Sequence, residues 1–225
     1  MVLDELEHFR ARLEGVFEKV PGAVTVVLHP NFTALCIAAP WLPLARAVSA
    51  PAGRRYFAGW FARGEIHVLV PEALERRAAD TPGSRAALRL SPHHEYAHLV
   101  LGANNPALPP PFTLPAFLSY ARSAWLCEGA AAHFSNQSPH LRPALVRRLR
   151  EGRRPSFPPS PRDATLLGGT VFSLLQREHG ARACVALAAG PVREGGRPAL
   201  EEAFGRPLAA IERAWRHHLR DFTAR

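Results

Sequence analysis

The chain has 225 residues, of which 47% are hydrophobic and 21% are charged, proportions typical of a globular protein with one core. Its formal net charge is +9, and arginine supplies all of the positive charge apart from the single lysine, Lys19. The three cysteines, Cys36, Cys127 and Cys184, are odd in number and widely spaced, which argues against a disulfide framework and a Cys-x-x-Cys metal site. This cysteine usage favours a reducing compartment.

The sequence also argues against export and membrane insertion. The N-terminus carries Asp4, Glu5 and Glu7 rather than a basic start followed by an apolar core, so we expect no signal peptide. The most apolar region, residues 32–51, is interrupted by Pro40, Pro43 and Arg46, so a membrane span of about 18 residues is not expected. We expect a soluble cytoplasmic protein.

The first part of the chain is predicted to mix helices and strands. Apolar residues recur every three or four positions near the N-terminus, and β-branched and aromatic runs follow. The predicted elements are a helix over residues 3–19 that ends at Pro21-Gly22, a strand over 24–28, and two strands over 54–63 and 65–70 that Arg63-Gly64 joins in an antiparallel hairpin. Residues 32–39 fit either a buried strand or a short helix.

A helix over residues 94–101 follows, and two starts fit it. Either the helix enters at Thr81-Pro82 and is interrupted by Pro92, or Ser91 is the cap and Pro92 the first helical residue. Gly102 is predicted to end it. The remaining predicted elements are an irregular loop over 103–115 with three prolines at 109–111, helices over 118–136 and 142–150, a proline-rich linker or surface loop over 152–163, and helices from 164 onward.

Residues 94–98 read His-Glu-Tyr-Ala-His, which is a His-Glu-x-x-His pattern. On a helix, His94 and His98 lie one turn apart on one face, so both imidazoles can bind the same metal ion. Glu95 lies beside them, and its carboxylate can take a proton from a water that the metal activates. This combination predicts a zinc hydrolase.

Residues 125–134 (WLCEGAAAHF) supply a candidate third ligand, Glu128. Catalytic zinc sites typically use three protein ligands and leave one position open. Glu128 lies 30 positions after His98, so we expect it to come from a different helix. Its neighbour Cys127 points about 100° away on that helix and is expected to be a buried thiol rather than a ligand.

Three other histidines near these segments are expected to lie outside the metal site. His93 should point elsewhere on its helix, toward the surface. His67 is expected to be a structural residue of its strand. His133 follows Glu128 by five positions and should face a different side of that helix, in packing.

Together the two segments resemble gluzincin zinc metallopeptidases of the peptidase MA-like superfamily, which includes thermolysin and the zinc aminopeptidases, and in particular small bacterial proteins of that superfamily. The residues that match the family pattern are His94, Glu95, His98, Trp125, Leu126, Glu128, Gly129, Ala131 and Phe134. The hairpin before the active-site helix and the helices over 170–180 and 199–219 extend the resemblance to about residues 24–220.

The resemblance implies an α+β, thermolysin-like zincin catalytic domain that spans residues 1–225. Its N-terminal lobe, residues 1–103, would contain a mixed or antiparallel sheet and carry the active-site helix. Its mainly helical lobe, residues 104–225, would carry the third ligand. The metal would lie in the groove between the lobes, where ligand sites commonly occur.

The resemblance also implies the chemistry. His94, His98 and Glu128 would bind Zn²⁺, and Glu95 would act as the general base and then the acid in the hydrolysis of a peptide or protein substrate. The strand near residues 66–69 is expected to be a sheet edge that holds extended substrate. One departure is that no tyrosine follows Glu128, whereas related peptidases generally supply a tyrosine or histidine to the oxyanion from the helical lobe.

Alternatives to a zinc peptidase remain open. The missing tyrosine allows a catalytically weak or inactive zincin-fold protein that binds a peptide or protein partner. Peptide deformylases use an upstream cysteine as third ligand, but Cys36 lacks the surrounding residues of that family. Basic residues cluster mildly over 142–154 and 213–220, and without a recognition-helix signature we expect solvated helix faces and no nucleic-acid partner.

Overall fold

The structure is a computed structural model that describes residues 2–110, 113–191 and 194–224. Its strands are β1 (Thr25–His29), β2 (Gly59–Ala62) and β3 (Glu65–Leu69). Its helices are α1 (Val2–Glu14), α2 (Phe32–Ala38), α3 (Trp41–Val48), α4 (Pro71–Arg77), α5 (Ser84–Arg89), α6 (Ser91–Asn104), α7 (Leu114–Phe134), α8 (Arg142–Leu149), α9 (Ala164–His179), α10 (Ala181–Ala189), α11 (Arg197–Phe204) and α12 (Leu208–Ala224). The described chain is a mixed α+β protein with a small sheet, as predicted. Of the predicted proline loop, Pro111 lies outside the described residues.

The predicted hairpin forms. β2 and β3 pair in antiparallel fashion across Arg63-Gly64, and Gly64 takes the left-handed φ of +74° that this turn requires. Its first strand is shorter than predicted, because residues 54–56 form a 3-10 helix. The predicted strand over 24–28 forms as β1 and lies parallel to β3.

The expectation that residues 66–69 form a sheet edge is wrong. The strand order is β1-β3-β2, so β3 is the central strand and is paired on both sides. β1 pairs with β3 from far away in the sequence, and the hairpin pattern contains no signal for that long-range pairing. β2 is therefore the edge strand that packs against α6.

The N-terminal segments differ from their predictions in local detail. α1 ends at Glu14 instead of reaching residue 19. A turn follows, in which the backbone N–H groups of Val16 and Phe17 both donate to Leu13 O. Phe17 is nevertheless buried. The regular spacing of apolar residues therefore indicated which side chains pack in the core and did not indicate how long the helix is. The ambiguous segment at 32–39 is helix α2, where the Asn31 side chain accepts a hydrogen bond from Ala34 N at 2.9 Å.

α6 carries the His-Glu-x-x-His segment. It begins at Ser91 with Pro92 in its first turn, one residue before the second of the two predicted starts, and its N-cap is Leu90 rather than Ser91. Gly102 does not end it, and the helix continues to Asn104. A Cβ at Gly102 would lie 2.6 Å from Pro109 O, so the glycine allows the following loop to pass close to the helix.

α7 and α9 cross at a pair of glycines. A Cβ at Gly129 would lie 2.5 Å from Gly168 C, and a Cβ at Gly168 would lie 2.5 Å from Trp125 O. Any other residue would push the two backbones apart. α7 also departs from helical geometry at Ser123 (φ −111°, ψ 16°), so the half that carries Glu128 has its own direction.

The predicted proline-rich linker over 152–163 is a packed loop. Phe157 is buried, and its ring centroid lies 5.1 Å from that of Trp215 in α12. At the end of the loop, the Asp163 carboxylate accepts two hydrogen bonds from the buried Arg148 guanidinium of α8, at 2.5 and 3.0 Å. The loop therefore connects α8, α9 and α12 through specific contacts.

The position of α6 links the sheet to the helical half of the chain. It packs against β2 and β3 and also against α7. Its residues from His94 to Leu101 are all buried, because protein surrounds this part of the helix. Within the described ranges, each helix is either too short or too polar to cross a bilayer.

Candidate metal centre

His94 and His98 come together on α6 as their spacing predicted. Their Nε2 atoms are 3.1 Å apart, and their rings are nearly perpendicular at 82°. The two residues are only 6% and 1% exposed. Helical periodicity alone explains this pairing, since residues four apart lie on one face.

Glu128 of α7 completes the cluster. Its Oε2 lies 3.5 Å from His94 Nε2, and its Oε1 lies 3.4 Å from His98 Nε2. Tetrahedral ligands at zinc distances of about 2.0–2.1 Å are spaced about 3.3 Å from one another, so these separations fit a single ion. The two imidazoles and the carboxylate form a buried group that could hold a metal ion.

Two contacts orient the ring of His98. It stacks on Phe61 of β2, with ring centroids 4.1 Å apart and planes inclined by 15°. Its Nδ1 lies 3.3 Å from the sulfur of Cys127, whose buried thiol has a pKa raised well above its ordinary value. A neutral thiol thus stands where metal-bound histidines usually have a carboxylate or carbonyl. Among the described residues, His94 Nδ1 has no hydrogen-bond partner.

Two hydroxyl groups support the Glu128 carboxylate, and the sequence analysis did not identify either of them. The Tyr120 hydroxyl donates to Oε1 at 2.6 Å, and the Thr165 hydroxyl donates to Oε2 at 3.4 Å. Tyr120 lies eight residues before Glu128, close to two helical turns, so this spacing was a usable signal. Thr165 belongs to α9 and lies beside Glu128 because α9 crosses α7 closely, and no local sequence pattern predicts that crossing.

Glu95 lies at the end of β2. A Cβ at Gly59 would be 2.6 Å from Glu95 Cγ and 2.7 Å from its Oε1, so only glycine leaves room for this side chain. Burial raises the pKa of Glu95 to about 8, while nearby His94 lowers it and Glu128 raises it. A cation bound to the adjacent ligands would favour the ionised carboxylate.

The charges of the three ligands are coupled. Burial raises the pKa of Glu128, but hydrogen bonds from His94 and His98 outweigh it, and the pKa falls well below its usual value. Burial lowers the pKa of His94, yet Glu128 raises it further, whereas burial keeps the pKa of His98 low. These hydrogen bonds thus stabilise the ionised form of Glu128, and a cation bound to the same atoms would stabilise it too.

The three candidate ligands and Glu95 line a narrow cavity of about 20 Å³ that is partly open. This volume is close to that of a single water molecule. Tyr56, Phe57 and Trp60 contribute to its wall together with Gln137. Tyr56, which precedes Glu128 in the chain, is thus a tyrosine among the lining residues, although the sequence has no tyrosine downstream of Glu128.

The three further histidines considered from the sequence, His93, His67 and His133, are not part of the cluster of candidate metal ligands. His93 is not a surface residue as predicted, because its ring packs against Phe9 of α1 with centroids 4.7 Å apart. His67 is a strand residue whose Nδ1 lies 3.0 Å from His29 Nε2. His133 packs in the helical half, where it stacks on Phe172 at 5.6 Å.

Comparison of the chain with protein-family models, curated proteins and solved structures returned no match. The chemistry and geometry of this buried cluster are therefore the features that indicate a function.

Proposed function

We propose that this protein is a zinc-dependent metallopeptidase with a gluzincin-type, thermolysin-like catalytic domain. The observation that carries the proposal is the convergence of His94 Nε2, His98 Nε2 and the Glu128 carboxylate at separations of 3.1–3.5 Å, with Glu95 on the same helix. Two imidazoles and one carboxylate form a common catalytic zinc set. The α+β architecture, with a small three-stranded sheet beside a helical half, is compatible with this fold.

Zinc held by these ligands would supply a Lewis acid for the scissile carbonyl and would make a water molecule acidic. The Glu95 carboxylate then accepts a proton from the attacking water and passes it to the leaving amine. Gly59 keeps this carboxylate against β2, because a side chain at residue 59 would occupy its place. We assign to the Tyr56 hydroxyl the hydrogen bond to the developing oxyanion.

β2 is the strand to which we assign the peptide substrate. It is an edge of the sheet, and Phe61 within it contacts His98. An extended peptide can add to such an edge through main-chain hydrogen bonds. This assignment replaces the one made from sequence for residues 66–69, which form the central strand.

The proposed function predicts a specific pair of results for Glu95→Gln. Elemental analysis should find one zinc per chain in both the wild type and the variant, because residue 95 does not bind the metal. Hydrolysis of a peptide library should fall by about 100- to 10,000-fold, the usual contribution of a general base. Glu72→Gln, an exposed change on α4, is the matched control and should keep full activity.

Two outcomes would contradict the proposal. Iron in place of zinc would indicate a different metal centre, because two histidines and a carboxylate also bind Fe(II) in oxygenases. Undiminished hydrolysis by Glu95→Gln would remove the general base from the mechanism.

A non-catalytic zincin-fold protein that binds a peptide or protein partner is the second candidate. The narrow space of about 20 Å³ beside the proposed ligands favours it, since it has room for about one water molecule and little more. This candidate predicts stoichiometric zinc without turnover of any peptide by the wild-type protein.

A further inference from the structure

A surface groove of about 460 Å³ is lined by six arginines. They belong to α3, to the 3-10 helix at residues 54–56, to α4 and to α8, and they are Arg46, Arg54, Arg55, Arg76, Arg77 and Arg147. Five of them lie outside the basic clusters visible in the sequence. Tertiary structure therefore creates a concentration of positive charge that the linear sequence does not display.

Carboxylates do not neutralise this groove. Among the described residues, no acidic side chain lines it. Glu151 lies near the wall, but its carboxylate accepts hydrogen bonds from Ala52 N at 3.1 Å and from Arg162 at 3.2 Å. Glu75 of α4 forms its ion pairs with two other arginines, Arg85 and Arg89.

Backbone carbonyls orient part of the groove. The Arg54 guanidinium donates to Ser49 O and Ala47 O, both at 3.1 Å, and the Arg55 guanidinium donates to Arg77 O at 3.0 Å. The Arg77 guanidinium in turn donates to the carbonyls of residues 54, 55 and 57. Each guanidinium has five N–H groups, so these bonds leave donors for a ligand.

The remaining arginines have still more unused donors. Arg76 and Arg147 are exposed, and neither side chain forms an ion pair or hydrogen bond among the described residues. The Nε of Arg46 is buried and has no hydrogen-bond partner in that part of the chain.

The charges also destabilise one another. Burial lowers the pKa of Arg77 to about 10, and repulsion from Arg46 and Arg55 adds to the shift. Such repulsion makes the empty groove unfavourable relative to one that contains several negative charges.

We propose that this groove binds a small-molecule ligand that carries two or more phosphoryl groups. Guanidinium groups bind phosphate oxygens in a bidentate way, and one phosphoryl group can contact several arginines at once. The carboxylates of an acidic peptide are instead spread along its chain. The site is separate from the metal ligands, and its assignment does not depend on the proposed peptidase activity.

The test measures the affinity for inorganic tripolyphosphate by calorimetry at constant ionic strength. The groove variant is Arg76→Gln/Arg147→Gln, which changes two exposed side chains that make no intramolecular bond. The control variant is Arg182→Gln/Arg213→Gln, which removes the same charge at two exposed positions outside the groove. Melting curves of both variants should match the wild type.

We expect the dissociation constant for tripolyphosphate to rise about tenfold or more in the groove variant and to stay within about twofold in the control. A nucleoside triphosphate that binds as tightly as tripolyphosphate would indicate recognition of phosphates alone, and tighter binding would indicate a nucleotide. Both results support the proposal.

Three results would overturn it: no binding of tripolyphosphate by the wild type, equal weakening in both variants, or citrate binding as tightly as tripolyphosphate. Tighter binding of polyglutamate or of a single-stranded oligonucleotide would also overturn it and would assign the groove to a macromolecule. None of these measurements uses peptide hydrolysis, so the failure of one proposal leaves the other intact.

Discussion

Tyr120→Phe tests the metal centre through a residue that does not bind the metal. The change removes the hydroxyl that donates to Glu128 Oε1 at 2.6 Å, in a buried environment. Burial and the Glu128 charge raise the pKa of Tyr120 well above its usual value, so the phenol is a hydrogen-bond donor throughout the accessible pH range.

The magnitude follows from the partners of Glu128. Without metal, the carboxylate has His94 and His98 within 3.5 Å as well as the Tyr120 hydroxyl. When a cation uses the histidine lone pairs, Tyr120 and the longer contact from Thr165 remain as its donors. Loss of the hydroxyl therefore weakens the metal-bound state more than the metal-free state. We expect zinc affinity to fall by about 10- to 100-fold, or about 1.4–2.7 kcal/mol.

The assay is competition for zinc with a chromophoric chelator at fixed pH. Tyr96→Phe is the matched control, because it removes the same hydroxyl from a tyrosine that donates to Pro21 O, away from the metal ligands. The Tyr96 variant should bind zinc as the wild type does. An unchanged zinc affinity in Tyr120→Phe, or an equal loss in both variants, would show that the Tyr120 hydroxyl does not stabilise the zinc-bound form of Glu128.

Three further predictions concern stability and packing. Burial lowers the pKa of His133 from 6.5 to about 4. The neutral imidazole therefore contributes fully to the stability of the folded state above pH 6.5, and this contribution is lost as the pH falls toward 4. Between pH 6.5 and pH 4 the free energy of unfolding of His133→Phe should fall by about 1–3 kcal/mol less than that of the wild type, because the variant has no imidazole to protonate. Urea unfolding at several pH values measures this difference. Gly168→Ala should force α9 away from Gly129, lower the melting temperature and weaken zinc binding, whereas the unstrained Gly22→Ala should do neither. Asp163→Asn should leave Arg148 buried without its counter-ion and reduce the free energy of unfolding by about 3–5 kcal/mol in chemical denaturation, and a change below about 1 kcal/mol would contradict this.

The sequence predicted the parts of the fold that local periodicity governs. The hairpin turn at Arg63-Gly64, the strand near residue 25 and most helices occur where propensity and spacing place them. It did not predict that β1 pairs with β3 and leaves β2 as the edge, because strand pairing across some 40 residues depends on packing rather than on local pattern. Gly102 was misread as a helix end for the same reason, since its role is a close contact with a later loop.

The candidate site divides in the same way. The residues of one helix, His94, Glu95 and His98, have an orientation that the 3.6-residue period alone determines, and the sequence was sufficient to group them. The approach of Glu128 depends on the packing of α6 against α7, and the approach of Thr165 depends on the close crossing of α7 and α9 that Gly129 and Gly168 permit. The cavity wall at Tyr56 and the arginine groove likewise combine side chains from separate elements. Only the tertiary structure could decide these features, because they arise from contacts between segments whose separation in sequence carries no information about their distance in space.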